Sequence, residues 1–87
     1  MSNKITIFGY ATGCVFCDMA KRLCTTRQLS FEFIELARDN ETDVQLKNRD
    51  KLNKIISDRG ISQRTFPFVF INDEFIGGFE DFRNKLI

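Results

Sequence analysis

Two cysteines three positions apart, Cys14 and Cys17, stand between a short β-rich run and the start of an amphipathic helical stripe. The run Lys4 to Phe8 reads KITIF and halts at Gly9, with Tyr10 to Gly13 turn-like, so a strand feeds a loop. From Val15 to about Gln28, Phe16, Ala20, Leu23 and Cys24 recur at helical spacing while Asp18, Lys21, Arg22 and Arg27 take the other face. Phe31 to Leu36 sets Phe31, Phe33 and Glu35 against Glu32, Ile34 and Leu36, a second strand with a largely buried middle. Strand, helix and strand in that order predict a parallel βαβ unit with the cysteine pair at its first crossover.

Arg38 to Thr42 is polar and opens a charged stretch in which Val44, Leu52, Ile55 and Ile56 share one helical stripe, closing at Gly60 as a C-terminal cap. Phe66 to Ile71 is a nearly unbroken apolar run, Asn72-Asp73 supplies turn chemistry, and Glu74 to Ile76 resumes before Gly77-Gly78, which predicts an antiparallel hairpin. Phe79, Phe82 and Leu86 then predict a short closing helix. The expected fold is α/β, βαβαββα, a four-stranded mixed sheet flanked by helices in one domain over residues 1–87. Thirteen basic against twelve acidic residues leave a formal charge of +1, too little to hold nucleic acid or an anionic membrane by field alone. The opening Met1-Ser2-Asn3-Lys4 leads into an apolar run too brief for a signal-peptide core or for the roughly 20 residues that span a bilayer. A soluble, cytoplasmic monomer is expected.

The chain has three cysteines and no histidine. An odd count without an export signal argues against a secreted disulfide framework, and the lack of His removes His-assisted cysteine nucleophiles and Cys/His zinc patterns. A zinc site would have to recruit Cys24 and carboxylates, and c-type haem attachment would need His where Asp18 stands, so no metal is expected. Redox chemistry remains. A thiol with pKa about 8.5 is almost wholly protonated at neutral pH, whereas unpaired amides and the dipole at a helix N-terminus favour the thiolate. Cys14, at the open end of the helix, is therefore expected to attack, and Cys17, deeper in the first turn, to resolve the mixed disulfide. Lys21 either adds positive potential there or is a solvated face, and Cys24 on the apolar face is expected to be an inert core residue.

Cys-x-x-Cys after a first strand, Thr65-Phe66-Pro67 before a third and Gly77-Gly78-Phe79-Glu80-Asp81 before the last helix together make the chain resemble a glutaredoxin over nearly its full length. It looks most like the small glutaredoxins of large tailed bacteriophages, which similarly carry Cys-Val-aromatic-Cys after Gly-Tyr and end in Ile-Gly-Gly-Phe. The resemblance implies a thioredoxin-like fold and glutathione as co-substrate with no permanently bound cofactor. Read alone, Pro67 could be a trans proline opening a strand; the resemblance implies a cis proline against the disulfide, with the Phe66 backbone pairing with substrate. It further implies Thr65 and Phe66 at the cysteinyl part of glutathione, Glu80 and Asp81 near its γ-glutamyl end and Arg64 at its glycyl carboxylate, with Phe16, Gly78 and Phe79 also among the substrate-binding residues. Read alone, Arg64 and Asp81 are solvated surface.

Val15 and Phe16 stand where Pro and Tyr are usual in the family, and Glu80 where a small polar residue is common. The first change frees a backbone N–H near the sulfurs, the second removes a phenol while keeping a ring, and the third adds negative charge beside an anionic tripeptide. The partners the resemblance implies are glutathione and disulfide-containing proteins, ribonucleotide reductase among them, with electrons from glutathione and glutathione reductase or from a thioredoxin reductase. Two alternatives stand beside this: a thioredoxin-like donor, and a dimer bridging a [2Fe–2S] cluster through Cys14 and two glutathiones, against which Val15 and Cys17 argue.

Overall fold

The computed structural model describes residues 4–86; Met1 to Asn3, which belong to the opening read against a signal peptide, and Ile87 lie outside the described residues. Its elements run β1 (Ile5–Tyr10), α1 (Val15–Thr26), β2 (Phe31–Leu36), α2 (Asp43–Arg59), β3 (Phe68–Ile71), β4 (Glu74–Gly77) and α3 (Phe79–Leu86). The βαβαββα order is the expected one. The four strands lie in the order β2-β1-β3-β4, with β1 parallel to β2 and antiparallel to β3, and β3 antiparallel to β4. The mixed sheet thus joins a βαβ unit to a ββα unit through the β1–β3 ladder.

Alternation along the strands sorts the core into two layers. Ile5, Ile7 and Val69 face α1 and α3, packing with Ala20, Cys24, Phe79 and Phe82, while Phe31 and Phe33 of the edge strand close that side. Phe8, Ile34, Leu36, Phe68 and Phe70 face the other way and meet Leu52 of α2. Each large side chain fully buried here contributes about 1.5–3 kcal/mol relative to exposure. Phe82, with no exposed surface, anchors the closing helix that the Phe79, Phe82 and Leu86 spacing predicts.

Several boundaries differ from the sequence reading, each for a local reason. Gly9 does not halt the first strand: β1 continues through Gly9 to Tyr10, paired throughout with β2 as far as Leu36. The third strand begins at Phe68 rather than Phe66, since Pro67 has no N–H to give a ladder. In α2, Val44 does not join the buried stripe and is 67% exposed. The face toward β2 is taken at that end by Gln45 and Asn48, which donate to the Glu35 carboxylate and the Glu35 carbonyl. Leu52 carries the burial, with Ile55 and Ile56 half-buried beside it. The helix is held at its ends by a Thr42–Gln45 capping box and by left-handed Gly60 with φ 62°.

Gly9 has a different task. It lies on the α1 side of β1, in phase with Ile5 and Ile7, where the first turn of α1 comes down on the strand. A Cβ there would stand 2.7 Å from the Cys17 sulfur and 3.2 Å from a Phe33 ring carbon, closer than real Cβ atoms approach a sulfur held in place. The absence of a side chain lets strand and cysteine pair touch. Gly9→Ala is expected to lower stability of the oxidised protein by about 1–3 kcal/mol, the usual cost of overpacking a closed core. The denaturant midpoint reads this directly, and an unchanged midpoint would show that α1 can back away from β1 freely.

Candidate active site

The loop Ala11–Cys14 carries the chain from the C-terminal end of β1 into α1. Gly13 makes the turn with φ 71°, and Cys14 takes extended angles, φ −130° and ψ 98°, as the residue capping the helix. Its carbonyl accepts from Asp18 N–H at 3.1 Å, the first bond of the helix. Its Sγ accepts from the Cys17 N–H at 3.3 Å, so one otherwise unpaired first-turn amide points at sulfur. Cys14 and Cys17 form a disulfide with their Cα atoms 5.2 Å apart. The two sulfur positions differ in access: Cys14 is partly exposed, Cys17 is 0% exposed.

The third cysteine takes no part. Cys24 is fully buried among the α1-side core residues, and burial pushes its thiol up to about 11. Lys21 is turned toward β2, its ammonium 4.3 Å from the centre of the Phe33 ring and 3.6 Å from the Asp18 carboxylate. Its side chain is thus engaged by Phe33 and Asp18. Among the described residues, no group of three or more Cys, Asp or Glu side chains is placed to hold a metal ion.

Beside Cys14 runs an open groove of about 540 Å³, lined by Tyr10, Gly13, Val15, Phe16, Arg38, Arg64, Thr65 and Phe66 as well as Cys14 itself. The structure thus gathers Cys14, Phe16, Arg64, Thr65 and Phe66 as one surface. Phe16 is 52% exposed, and its ring lies 6.3 Å from that of Phe79. Pro67 is buried behind the groove and the Phe66–Pro67 bond is cis. Gln63 fastens this segment: its amide nitrogen donates to the carbonyls of Thr65 at 2.8 Å and Pro67 at 2.9 Å.

The remaining predicted residues sit differently. Gly78 adjoins the proline loop, where a Cβ would make ordinary contact with the Pro67 carbonyl and the Gln63 amide at 3.8 Å. Phe79 is a core residue whose ring is committed to the α1-side cluster. Glu80 and Asp81 are exposed in the first turn of α3, outside the lining of the groove, and the Asp81 carboxylate is folded back over Gly77. Gly9 and Tyr10 entered the sequence reading as the Gly-Tyr step before the cysteine pair, without a role at the site; Gln63 and Arg38 were missed, being ordinary polar residues whose tasks come from tertiary placement. Arg38 lays its guanidinium 4.0 Å over the Tyr10 ring and donates to the Thr12 carbonyl at 3.3 Å, bracing the loop from the β2 side.

Comparison with known proteins agrees with this geometry. Residues 5–76 match the family model for glutaredoxin. The glutaredoxin of Enterobacteria phage T4 is 37% identical over 81 residues, covering 88% of this chain and 92% of that protein. A buckwheat glutaredoxin solved with glutathione superposes with a TM-score of 0.68 at 25% identity, covering 97% of this chain and 68% of the other. The glutaredoxin-like NrdH-redoxin of Escherichia coli, described as having a thioredoxin-like activity profile, superposes with a TM-score of 0.65 at 25% identity over 97% and 95%. A thioredoxin-like sheet, a cis proline and a disulfide-forming Cys14–Cys17 pair on the open end of α1 are thereby accounted for together: the chain belongs to the glutaredoxin family of thiol–disulfide oxidoreductases.

Proposed function

We propose that the chain reduces protein and glutathione mixed disulfides through Cys14, with Cys17 as the resolving thiol and glutathione as the returning reductant. The observation that carries this reading is the unequal access of the two sulfurs on one helix end. An incoming disulfide can reach Cys14 but not Cys17. On reduction, the Cys17 amide and the α1 dipole favour the anionic form of Cys14. The Cys14 thiolate attacks one sulfur of the substrate disulfide; a new S–S bond forms, the old one breaks, and the departing thiolate takes a proton from water. Cys17 then gives up its proton and attacks the Cys14 sulfur, closing the internal disulfide and releasing the second substrate thiol. Two electrons and two protons have passed to the substrate, and two glutathione thiols restore the dithiol as glutathione disulfide forms.

The groove supplies the rest of the reading. Thr65 and Phe66 border Cys14 in the groove, and the Phe66 backbone would pair with the cysteinyl part of glutathione or with an extended peptide, as the family resemblance implies. Arg64 would hold a carboxylate, while Glu80 and Asp81, outside the groove's lining, would make the γ-glutamyl contact that the family resemblance implies, with Gly78 beside the proline loop as a further substrate contact. The buckwheat complex supports glutathione in this role, and a disulfide of ribonucleotide reductase in a reducing cytoplasm is the protein substrate the resemblance suggests. A second reading, electrons from a thioredoxin reductase, is favoured by the likeness to NrdH-redoxin and by Phe16, which offers no phenol.

Cys14→Ser is expected to abolish turnover. Cys17→Ser should instead accumulate a stable Cys14–glutathione mixed disulfide, seen as a gain of one glutathione by mass spectrometry. Trapping on Cys17 in the reciprocal variant would reverse the roles. In the reduced protein at neutral pH, iodoacetamide should label Cys14 first and leave Cys24 untouched until the chain unfolds, since that thiol ionises only toward pH 11.

The source of electrons is settled by a coupled assay with NADPH. Turnover with glutathione and glutathione reductase supports the first reading; turnover with thioredoxin reductase alone replaces it with the second.

A further inference from the structure

The sheet order β2-β1-β3 places three chain segments side by side at one edge: Arg38 just after β2, Tyr10 and the cysteine loop after β1, and Arg64 just before β3. Because β1 and β2 are parallel and β3 antiparallel to them, both arginines emerge at the same edge as Cys14, one on each side of it. Both line the groove, and no Asp or Glu does. In a chain whose formal charge is only +1, that concentration of one sign is local.

Neither arginine is ion-paired. Among the described residues no carboxylate lies within ion-pair distance of Arg38 or Arg64, and the nearby acids have other tasks. Glu41 pairs with Arg49 at 3.0 Å and Glu35 accepts from Gln45 at 2.7 Å, while Glu35 and Asp39 line, together with Arg38, the neighbouring depression on the β2 side rather than the groove at Cys14. Arg38 spends one donor on the Thr12 carbonyl and its face on Tyr10, which holds the guanidinium in place and leaves further N–H groups unused. A fixed, unpaired arginine is a better anion contact than a free one, because less side-chain entropy is lost on binding.

The surface is also longer than the groove at Cys14. A second depression of about 590 Å³ shares Tyr10, Arg64 and Phe66 with it and continues along α2 to Leu52, Ile56 and Ile61. An occupant that runs past Arg64 meets apolar side chains next.

We infer that Arg38 and Arg64 together select protein disulfides whose cysteines are flanked by acidic side chains, carried on an extended segment that continues toward α2. This rests on the exchange reading given above. Arg38 is the new element: it contributes a specificity contact on the β2 side of the sulfur, opposite the one already assigned to Arg64. Contacts of this exposed kind act mainly on encounter and fade with salt, so the expected effect is a several-fold preference.

The test compares three peptides that share one internal disulfide and differ in having Glu, Gln or Lys beside each cysteine. At low salt the kcat/KM order should be Glu above Gln above Lys, with the Glu-to-Lys ratio about tenfold, the scale of rim-charge effects on association. High salt should bring the ratio toward one. Arg38→Gln and Arg64→Gln should each shrink the ratio, the double variant should erase it, and Arg38→Lys should keep it. Equal rates for the three peptides, or a ratio that Arg38→Gln leaves intact, overturns the inference while leaving the oxidoreductase standing. Failure to reduce any of the three strikes the exchange reading itself, and this inference with it.

Discussion

The amide of Cys17 points at the sulfur of Cys14 because a helix begins there, and the helix begins there because β1 ends one short loop earlier. That dependence gives the molecule its order. A helix N-terminus presents amides without intrahelical partners, and only a side chain, a ligand or water can satisfy them. Here a cysteine sulfur takes one of them at 3.3 Å. Val15 stands at the first helical position and, unlike a proline, keeps its own N–H at the same open end. The sheet fixes where this end lies: β1 is bonded to β2 on one side and β3 on the other, so the loop that follows it starts from a strand held at both edges.

Two kinds of contact keep the sulfurs in register with the rest of the site, and they differ in strength. The apolar kind is the close approach of Gly9, Cys17 and Phe33, in which a missing side chain on the strand admits the first turn of α1. Packing of that density tolerates little change in volume. The polar kind is made by single side chains reaching across loops. Gln63 ties Thr65 to Pro67, and Arg38 ties the cysteine loop to the end of β2. A neutral hydrogen bond such as those of Gln63 contributes about 1 kcal/mol, and the charge-assisted bond of Arg38 is exposed to competing water. These bonds define the groove's edges without carrying the stability of the fold, a division that lets the rim vary while the cysteine pair stays put.

The element order was readable from the sequence because it rests on local patterns: a β-rich run, a helical stripe, an alternating strand, a capped second helix and a hairpin. The errors fall where tertiary structure overrides the local pattern. Gly9 looks like a strand breaker, yet it is the residue that lets the strand pass the helix. Val44 has the spacing of a core residue but faces solvent, because Gln45 and Asn48 satisfy Glu35 on the edge strand at that end of α2. The cysteine pair and Pro67 were legible since their chemistry depends on residue type and order. Arg38 and Gln63 were not, because an arginine after a strand and a glutamine in a loop have no distinguishing neighbours in the chain.

The unequal exposure of the two sulfurs has a further consequence for the chemistry. A nucleophile must be accessible and anionic; a resolving thiol must be close and otherwise protected, or it would compete for the same substrates. One turn of helix separates the two conditions. Cys14 sits at the cap, where amides and solvent meet, whereas Cys17 is under the first turn with no exposed surface. The exposed Val15 and Phe16 between them, 70% and 52% accessible, make the rim on that side apolar, while the rim toward β2 and β3 is cationic. A disulfide reaching Cys14 is therefore met by an oily edge and a charged one. On the proposed reading, apolar contact is indifferent to sequence charge, discrimination among substrates falls to the charged edge, and the sulfur pair need not be altered to change what is reduced.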